Sequence, residues 1–350
     1  MKVEGERRLK KVEFARRKAI NLSEQESVRV GRLEDGQAMP VLIEPAAAGV
    51  DLATWARANR GLLEENLLAH GAILFRGFGL RTAAELDALI AASCDEVAHY
   101  QEAATPRTYV GGNIYTSTDF PPAHRIFLHN ENSHCPSWPL RLFFFCLVPA
   151  ERGGETPVAD SRRVMRALDP KIRERFLEKK VMYVRNFGDG LGLPWQAVFN
   201  LKERAEVEAY FRRHRIEWEW RGGERLRVRY VREAAAVHPR TGEAVWFNHV
   251  PLFHISRVEP EARVGLLAQF GEEGLPYNAY YGDGSPIEDS VLDEICATYL
   301  GEMRLFRWQA GDVLMLDNML AAHGREPFEG TQRRILVGMA EPTGAGAGDA

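Results

Sequence analysis

Apolar positions recur at three- and four-residue spacing over Leu52 to Ala69 and again over Thr82 to Cys94, which predicts a helix in each stretch. Between them Ala72 to Phe75 is a short apolar run of strand length. Arg125 to Leu128 and Arg141 to Val148 (Arg-Leu-Phe-Phe-Phe-Cys-Leu-Val) are rich in branched and aromatic residues and read as strands of a closely packed sheet. Ser161 to Lys180 reads as helix, capped by Asp160 or Ser161 and cut into two pieces by Pro170. Further on, Ile216, Trp218 and Trp220 alternate with charged residues, Gly222-Gly223 supplies a turn, and Leu226, Val228 and Tyr230 alternate again, a hairpin pattern. Gly311 and Asp312 turn into an apolar strand from Val313 to Leu316, and after a loop with Pro327 and Gly330 a second apolar strand opens at Arg334. No internal repeat interrupts this irregular order.

Chemistry enters with the polar residues set into those strands. In extended backbone, side chains at i and i+2 share a side, so a strand carrying His129 and Glu131 would make them converge while Asn130 faces away. Alone, a His-x-Glu pair is a weak signal. The distal segment strengthens it, because His323 and Arg334 follow on neighbouring apolar strands. Two imidazoles and one carboxylate on one face, with other positions open, suit an iron(II) centre that activates dioxygen. A guanidinium beside them suits a buried carboxylate, since its planar fork donates two parallel hydrogen bonds and keeps its charge.

The stretch from Gly71 (Gly-Ala-Ile-Leu-Phe-Arg-Gly-Phe) through His129-Asn-Glu131, Gly153-Gly-Glu-Thr156 and Asp317-Asn318 to His323 and Gln332-Arg-Arg334-Ile strongly resembles the iron(II)/2-oxoglutarate-dependent dioxygenases of the TauD/TfdA family. The resemblance implies a mainly β fold with flanking helices, the double-stranded β-helix or jelly roll of the clavaminate synthase-like kind. It implies His129, Glu131 and His323 as iron ligands, Arg334 as the partner of the distal carboxylate of 2-oxoglutarate, and Thr156 as a hydroxyl donor to the same cosubstrate. The implied reaction uses Fe(II), 2-oxoglutarate and O2, releases succinate and carbon dioxide, and oxidises an unactivated C–H bond. Hydroxylation is the default outcome, with desaturation or ring closure as other fates of the same substrate radical.

Two departures refine the resemblance. Glu131 stands where most relatives carry aspartate; because a carboxylate is present there, halogenation is disfavoured. In taurine-type members a second arginine lies four residues beyond the cosubstrate arginine, and counted from Arg334 that position is Gly338, so taurine is not the expected substrate. Leu-His-Asn-Glu, Trp-Phe-Asn, Tyr-Gly-Asp-Gly and His-Gly-Arg look most like the branch related to the syringomycin aspartyl hydroxylase. That branch implies an amino-acid-like small-molecule substrate, free or presented by a carrier protein, in a natural-product pathway. For the substrate pocket the candidates are Asn113, Tyr115, Trp246, Asn248 and Arg325, the last with an alternative role bracing Asp317. Two other readings stay open: a non-catalytic jelly-roll binding protein, and a zinc hydrolase drawing on His129, Glu131 and His134. Neither a His-Glu-x-x-His run nor paired Cys-x-x-Cys supports zinc.

Composition bounds the rest. A net charge of −4 across 350 residues carries no broad basic footprint for nucleic acid. The first 18 residues are the exception, with eight Lys/Arg against three Glu, and residues 1–35 are read as a basic, solvated arm. Residues 36–340 are read as one catalytic domain with an insertion at about 181–245, and 341–350 as a disordered tail. The insertion's hairpin reads equally as a lid or docking ribbon over the site or as a cover for the core, and Gly188 to Pro194 as a mobile loop at the mouth. No apolar run approaches the ~20 residues needed to cross a bilayer, and the four cysteines lack a disulfide or metal spacing, so the expected location is the cytoplasm with free thiols, Cys135 among them.

Overall fold

A computed structural model, describing residues 27–33, 38–97, 108–118, 120–188, 190, 192–330 and 332–344, is organised around the strand Ser137–Val148. Its run of apolar residues is buried on both faces because each face meets a different layer. Leu142, Phe144 and Cys146 pack inward with Leu314, Leu316, Ile335 and Val337. Phe143 and Phe145 point the opposite way, against Trp55, Leu63, Leu67, Leu89 and Ile90 of the flanking helices. The strand sits near the centre of an eight-stranded sheet ordered Val28–Arg32, Val41–Pro45, Ala72–Phe75, Val313–Asp317, Ser137–Val148, Arg334–Gly344, Ile114–Thr116, Tyr109–Gly111. A three-stranded sheet ordered Ile126–His129, Ala321–Arg325, Val158–Asp160 faces it. Val158 and Ala321 join the inner core between the two sheets, while Ala159 and Ala322 join another core behind the smaller one. The chain is thus a double-stranded β-helix with helices packed on the outer face of the large sheet.

The core behind the smaller sheet is built by the insertion. Glu217–Trp220 and Leu226–Arg232 form the expected hairpin, with Trp218 opposite Val228 and Trp220 opposite Leu226. They continue through Val181–Phe187 to Tyr277–Tyr281, making a four-stranded sheet that extends past residue 245. The hairpin's apolar face packs on helix Arg204–His214, through Phe211 and Trp218 among others.

Several sequence expectations are refined at this level. The helix expected over Leu52 to Ala69 is two helices, Leu52–Ala58 and Arg60–His70, broken where the Asn59 side chain bonds back to the Trp55 carbonyl at 2.9 Å. The second becomes Ala83–Ser93, opened by a capping box between Thr82 and Glu85. Pro170 splits the third as expected, into Ser161–Ala167 and Pro170–Lys179. Most of the basic arm lies outside the described residues, but its end does not fray: Val28–Arg32 pairs antiparallel with Val41–Pro45. Nor is residue 341 the start of a loose tail. The last strand runs to Gly344, and Glu341 is tied to Arg240 at 2.9 Å and to the buried Arg141 at 3.6 Å. Residues 345–350 lie outside the described residues.

Because Phe143 is fully enclosed between the large sheet and the helices, Phe143→Ala is expected to lower stability by about 3–5 kcal/mol. Urea unfolding would register this as a lower midpoint with an unchanged slope.

Candidate active site

His129 ends the strand Ile126–His129 and lies directly opposite His323 on Ala321–Arg325. This register places the two imidazoles 4.5 Å apart, ring centre to ring centre. His129 Nδ1–H donates to the Phe127 carbonyl at 2.8 Å, which turns Nε2 and its lone pair toward Glu131. Glu131 Oε2 lies 3.9 Å from His129 Nε2 and 3.9 Å from His323 Nε2. Among the described residues this is the one group of three ligand-type side chains whose ligand atoms all lie within 4.8 Å of one another. Two nitrogens and a carboxylate oxygen converging on one point fit a ferrous ion that takes three protein ligands and keeps its other positions open.

The convergence does not come from strand geometry, as the i, i+2 argument supposed. The strand stops at His129, and Glu131 sits on the turn that follows. That turn is held from across the barrel by Asn318. Its Oδ1 accepts from the Glu131 N–H at 2.8 Å, and its Nδ2 donates to the Glu131 carbonyl at 2.9 Å and to the Pro139 carbonyl at 2.9 Å. Asn130 points into the interior and donates to the Asn318 carbonyl at 2.6 Å and Ser161 Oγ at 3.1 Å. Asp317, next to the clamp, accepts from Arg141, from His238 at 3.0 Å, and from the N–H groups of Met319 and Leu320. Burial alone would raise its carboxyl's pKa, but the hydrogen bond from His238 and the charge of Arg141 hold it below the ordinary value.

On one side of the triad a small cavity is lined by Phe144, Thr156, Arg325, Arg333 and Ile335. The arginine in it is Arg333. Arg334 is solvent-exposed, because Arg333 and Ile335 share the inner face and a register shift follows Arg334. Arg333 Nε donates to the Gly154 carbonyl at 3.1 Å and has no carboxylate at ion-pair distance among the described residues. Burial, aided by the charge of Arg325, pushes its pKa down to about 10, as expected for a guanidinium short of a counterion. Gly154 makes room for it: its φ is +70° and a Cβ there would lie 2.9 Å from Arg333 Nε. Thr156 is buried beside it, and its Oγ1 accepts from Trp308 Nε1 at 3.1 Å, leaving the hydroxyl proton to donate into the cavity. Counted from Arg333, the position four residues on is Val337, apolar and buried; the taurine-type arginine is absent either way.

On the other side a cavity of about 840 Å³ runs from His129 and Glu131 past His249, Phe253 and His254 to Arg185, Arg257 and Tyr277. Most of the substrate candidates named from sequence lie elsewhere. Trp246 is fully buried against Phe176 at 5.4 Å. Asn248 is a structural residue, donating to the Ala234 carbonyl at 2.8 Å and accepting from the Val250 N–H at 3.2 Å. Asn113 is bonded to Asp87 at 3.3 Å and Tyr115 packs edge-on against Tyr109 at 5.8 Å, and neither lines either cavity. Arg325 does line the small one, yet it braces the loop before Ile126 through the carbonyls of Phe120, Pro121 and His124, not through Asp317. His134 is packed among Tyr183, His249 and Phe253, held neutral by burial, outside the triad that the zinc reading required. All four cysteines are buried and unbridged. No described residue of Gly188 to Pro194 or of the hairpin lines the large cavity.

Comparison with known proteins agrees with this geometry. Residues 36–340 match the model of the Taurine catabolism dioxygenase TauD, TfdA family. The chain belongs to the TauD/TfdA family. It is 39% identical over 280 residues to the dapdiamide synthesis protein DdaC of Enterobacter agglomerans, covering 80% of this chain and 85% of that one. It is 26% identical over 328 residues to the clavaminate synthase-like protein At3g21360 of Arabidopsis thaliana, covering 87% and 94%. Among solved structures the PvcB protein of Pseudomonas aeruginosa superposes with a TM-score of 0.55 at 17% identity, covering 92% of this chain and 93% of that one. As a TauD/TfdA protein the chain is a dioxygenase that uses Fe(II), 2-oxoglutarate and O2, which displaces the non-catalytic alternative. No helix among the described residues is long and apolar enough to cross a membrane.

Sequence reasoning passed over Arg333 and Arg185. Both could have been found by counting in twos, since Arg333 keeps step with Ile335, and Arg185 with Val181, Tyr183 and Phe187.

Gly324, between His323 and Arg325, is required by close packing: a Cβ there would lie 2.6 Å from the Ile126 carbonyl oxygen. Gly324→Ala must push the two ligand strands apart, at a cost of about 1–3 kcal/mol in stability. The expected result is weaker iron(II) binding in anaerobic equilibrium dialysis, with the native circular dichroism spectrum retained.

Proposed function

We propose that His129, Glu131 and His323 hold the iron, that Arg333 takes the distal carboxylate of 2-oxoglutarate with Thr156 donating to the same molecule, and that the 840 Å³ cavity receives the substrate. The reaction we infer is hydroxylation of an unactivated C–H bond of an amino-acid-like small molecule in a natural-product pathway. The observation that carries this reading is the position of the triad between two cavities of different character. One is small, with a half-buried cation and a buried hydroxyl, and the other is large and mostly apolar.

The bound iron with 2-oxoglutarate supplies an oxidant strong enough for a C–H bond; the protein's part is arrangement. His129 and His323 would present their Nε2 atoms, and Glu131 its Oε2, to the metal. Asn318 keeps Glu131 from relaxing along the turn. Arg333 and Thr156 orient the keto acid from the side away from the substrate. Phe127, Phe253 and Pro251 surround the place where the target carbon must lie and exclude water from it. The relation to DdaC, named for dapdiamide synthesis, supports the pathway assignment. A cavity of this size admits either a free amino acid or one carried on a tether.

Two measurements test the roles. Anaerobic addition of iron(II) and 2-oxoglutarate should give a visible charge-transfer band that His129→Ala abolishes; absence of the band in the wild type would contradict the assignment. Arg333→Gln should raise the 2-oxoglutarate concentration needed for half-saturation by about 10- to 100-fold, the loss of one charged hydrogen-bonded contact. Arg334→Gln should leave it unchanged.

A further inference from the structure

Three guanidinium groups line the large cavity, and two of them are already satisfied. Arg125 is paired with Glu326 at 2.8 Å and Arg257 with Asp293 at 2.9 Å. Arg185 is different. It is 8% exposed, makes no hydrogen bond or ion pair with any described residue, and has a buried Nη1 without a partner. It does make a cation–π contact, with the guanidinium 5.0 Å from the centre of the Phe187 ring, which supplies no counter-charge. It stands on Val181–Phe187, in register with Tyr277 on the next strand, and both side chains face the cavity that ends at His129 and Glu131.

A buried guanidinium left without an anion is costly unless a ligand supplies one. Among the described residues no anion explains Arg185 as a structural residue, and the apolar alternation of its strand would be better served by a branched side chain. We propose that Arg185 is the specificity residue for the substrate: it receives a free carboxylate of an amino-acid-like molecule and thereby sets which carbon lies beside the iron. This rests on the reading of the cavity as the substrate site. It also narrows the substrate class. An amino acid tethered through its own carboxyl carries that group as a thioester with no charge, so a substrate for this pocket is either free or bears a second acid.

The probe is propionate, observed by saturation-transfer NMR on the full chain loaded with zinc(II) as a diamagnetic stand-in for iron and with saturating 2-oxoglutarate, so that Arg333 is occupied. Propionate signals should be saturated in the wild type and in Arg185→Lys, and Arg185→Gln should weaken the interaction at least about tenfold. Propionamide, of the same shape without the charge, should give no comparable signal. Equal signals for Arg185→Gln and wild type, equal signals for propionamide and propionate, or no signal in the wild type would overturn the proposal. The anaerobic iron(II)/2-oxoglutarate band, recorded on metal-free aliquots of the same proteins loaded with iron(II) in place of zinc, separates the two readings. A band with no propionate response rejects the anchor alone, whereas loss of the band in the wild type rejects the site.

Discussion

The site depends on getting a carboxylate beside two imidazoles at the end of an otherwise apolar barrel, and on holding it there. Strand pairing solves half of that problem, because His129 and His323 face each other across adjacent strands. It cannot supply the third ligand, since the strand ends at His129. The Asn318 side chain does so by capturing both backbone polar groups of Glu131, so that a single amide fixes the turn in position and orientation. Asn318 is itself placed by the Asp317 network, in which Arg141 and His238 compensate a fully buried carboxylate. The ion pair between Arg141 and Asp317 therefore reads as a device of position more than of stability, since buried pairs return little net energy.

Charge compensation also separates structural from functional groups. Arg76 is matched by Asp312, Arg141 by Asp317 and Glu64, and Arg162 by Asp160 and Glu243. Arg333 and Arg185 have no such match among the described residues, and each faces a cavity that borders the triad. On the reading proposed above, these two unmatched cations on opposite sides of the triad would receive two anions, a keto acid at Arg333 and a substrate acid at Arg185.

Much of this was legible in the sequence. The double-faced strands announced themselves as unbroken apolar runs, and the hairpin around Gly222 as strict alternation. The three metal-site residues were recognisable by type and order along the chain. What escaped was orientation. Arg333 and Arg334 are adjacent, and which of them turns inward follows only from the alternation with Ile335 and Val337 on the inner face. Trp246 and Asn248 looked like a pocket because aromatic and amide side chains line pockets, but the same groups also fill cores and close turns, and here they do. Glu341 looked like the start of a tail because Pro, Gly and Ala follow it, although its partners, Arg141 and Arg240, are distant in sequence. Long-range pairing of this kind leaves no local signature.

The most direct test of the central claim is crystallographic. Crystals equilibrated with iron(II) and 2-oxoglutarate without oxygen, and measured at the iron absorption edge, should show a single anomalous peak bonded to His129 Nε2, a Glu131 oxygen and His323 Nε2. The keto acid should then extend from it to Arg333. A peak bonded to other residues, or a keto acid whose distal carboxylate lies away from Arg333, would contradict the account.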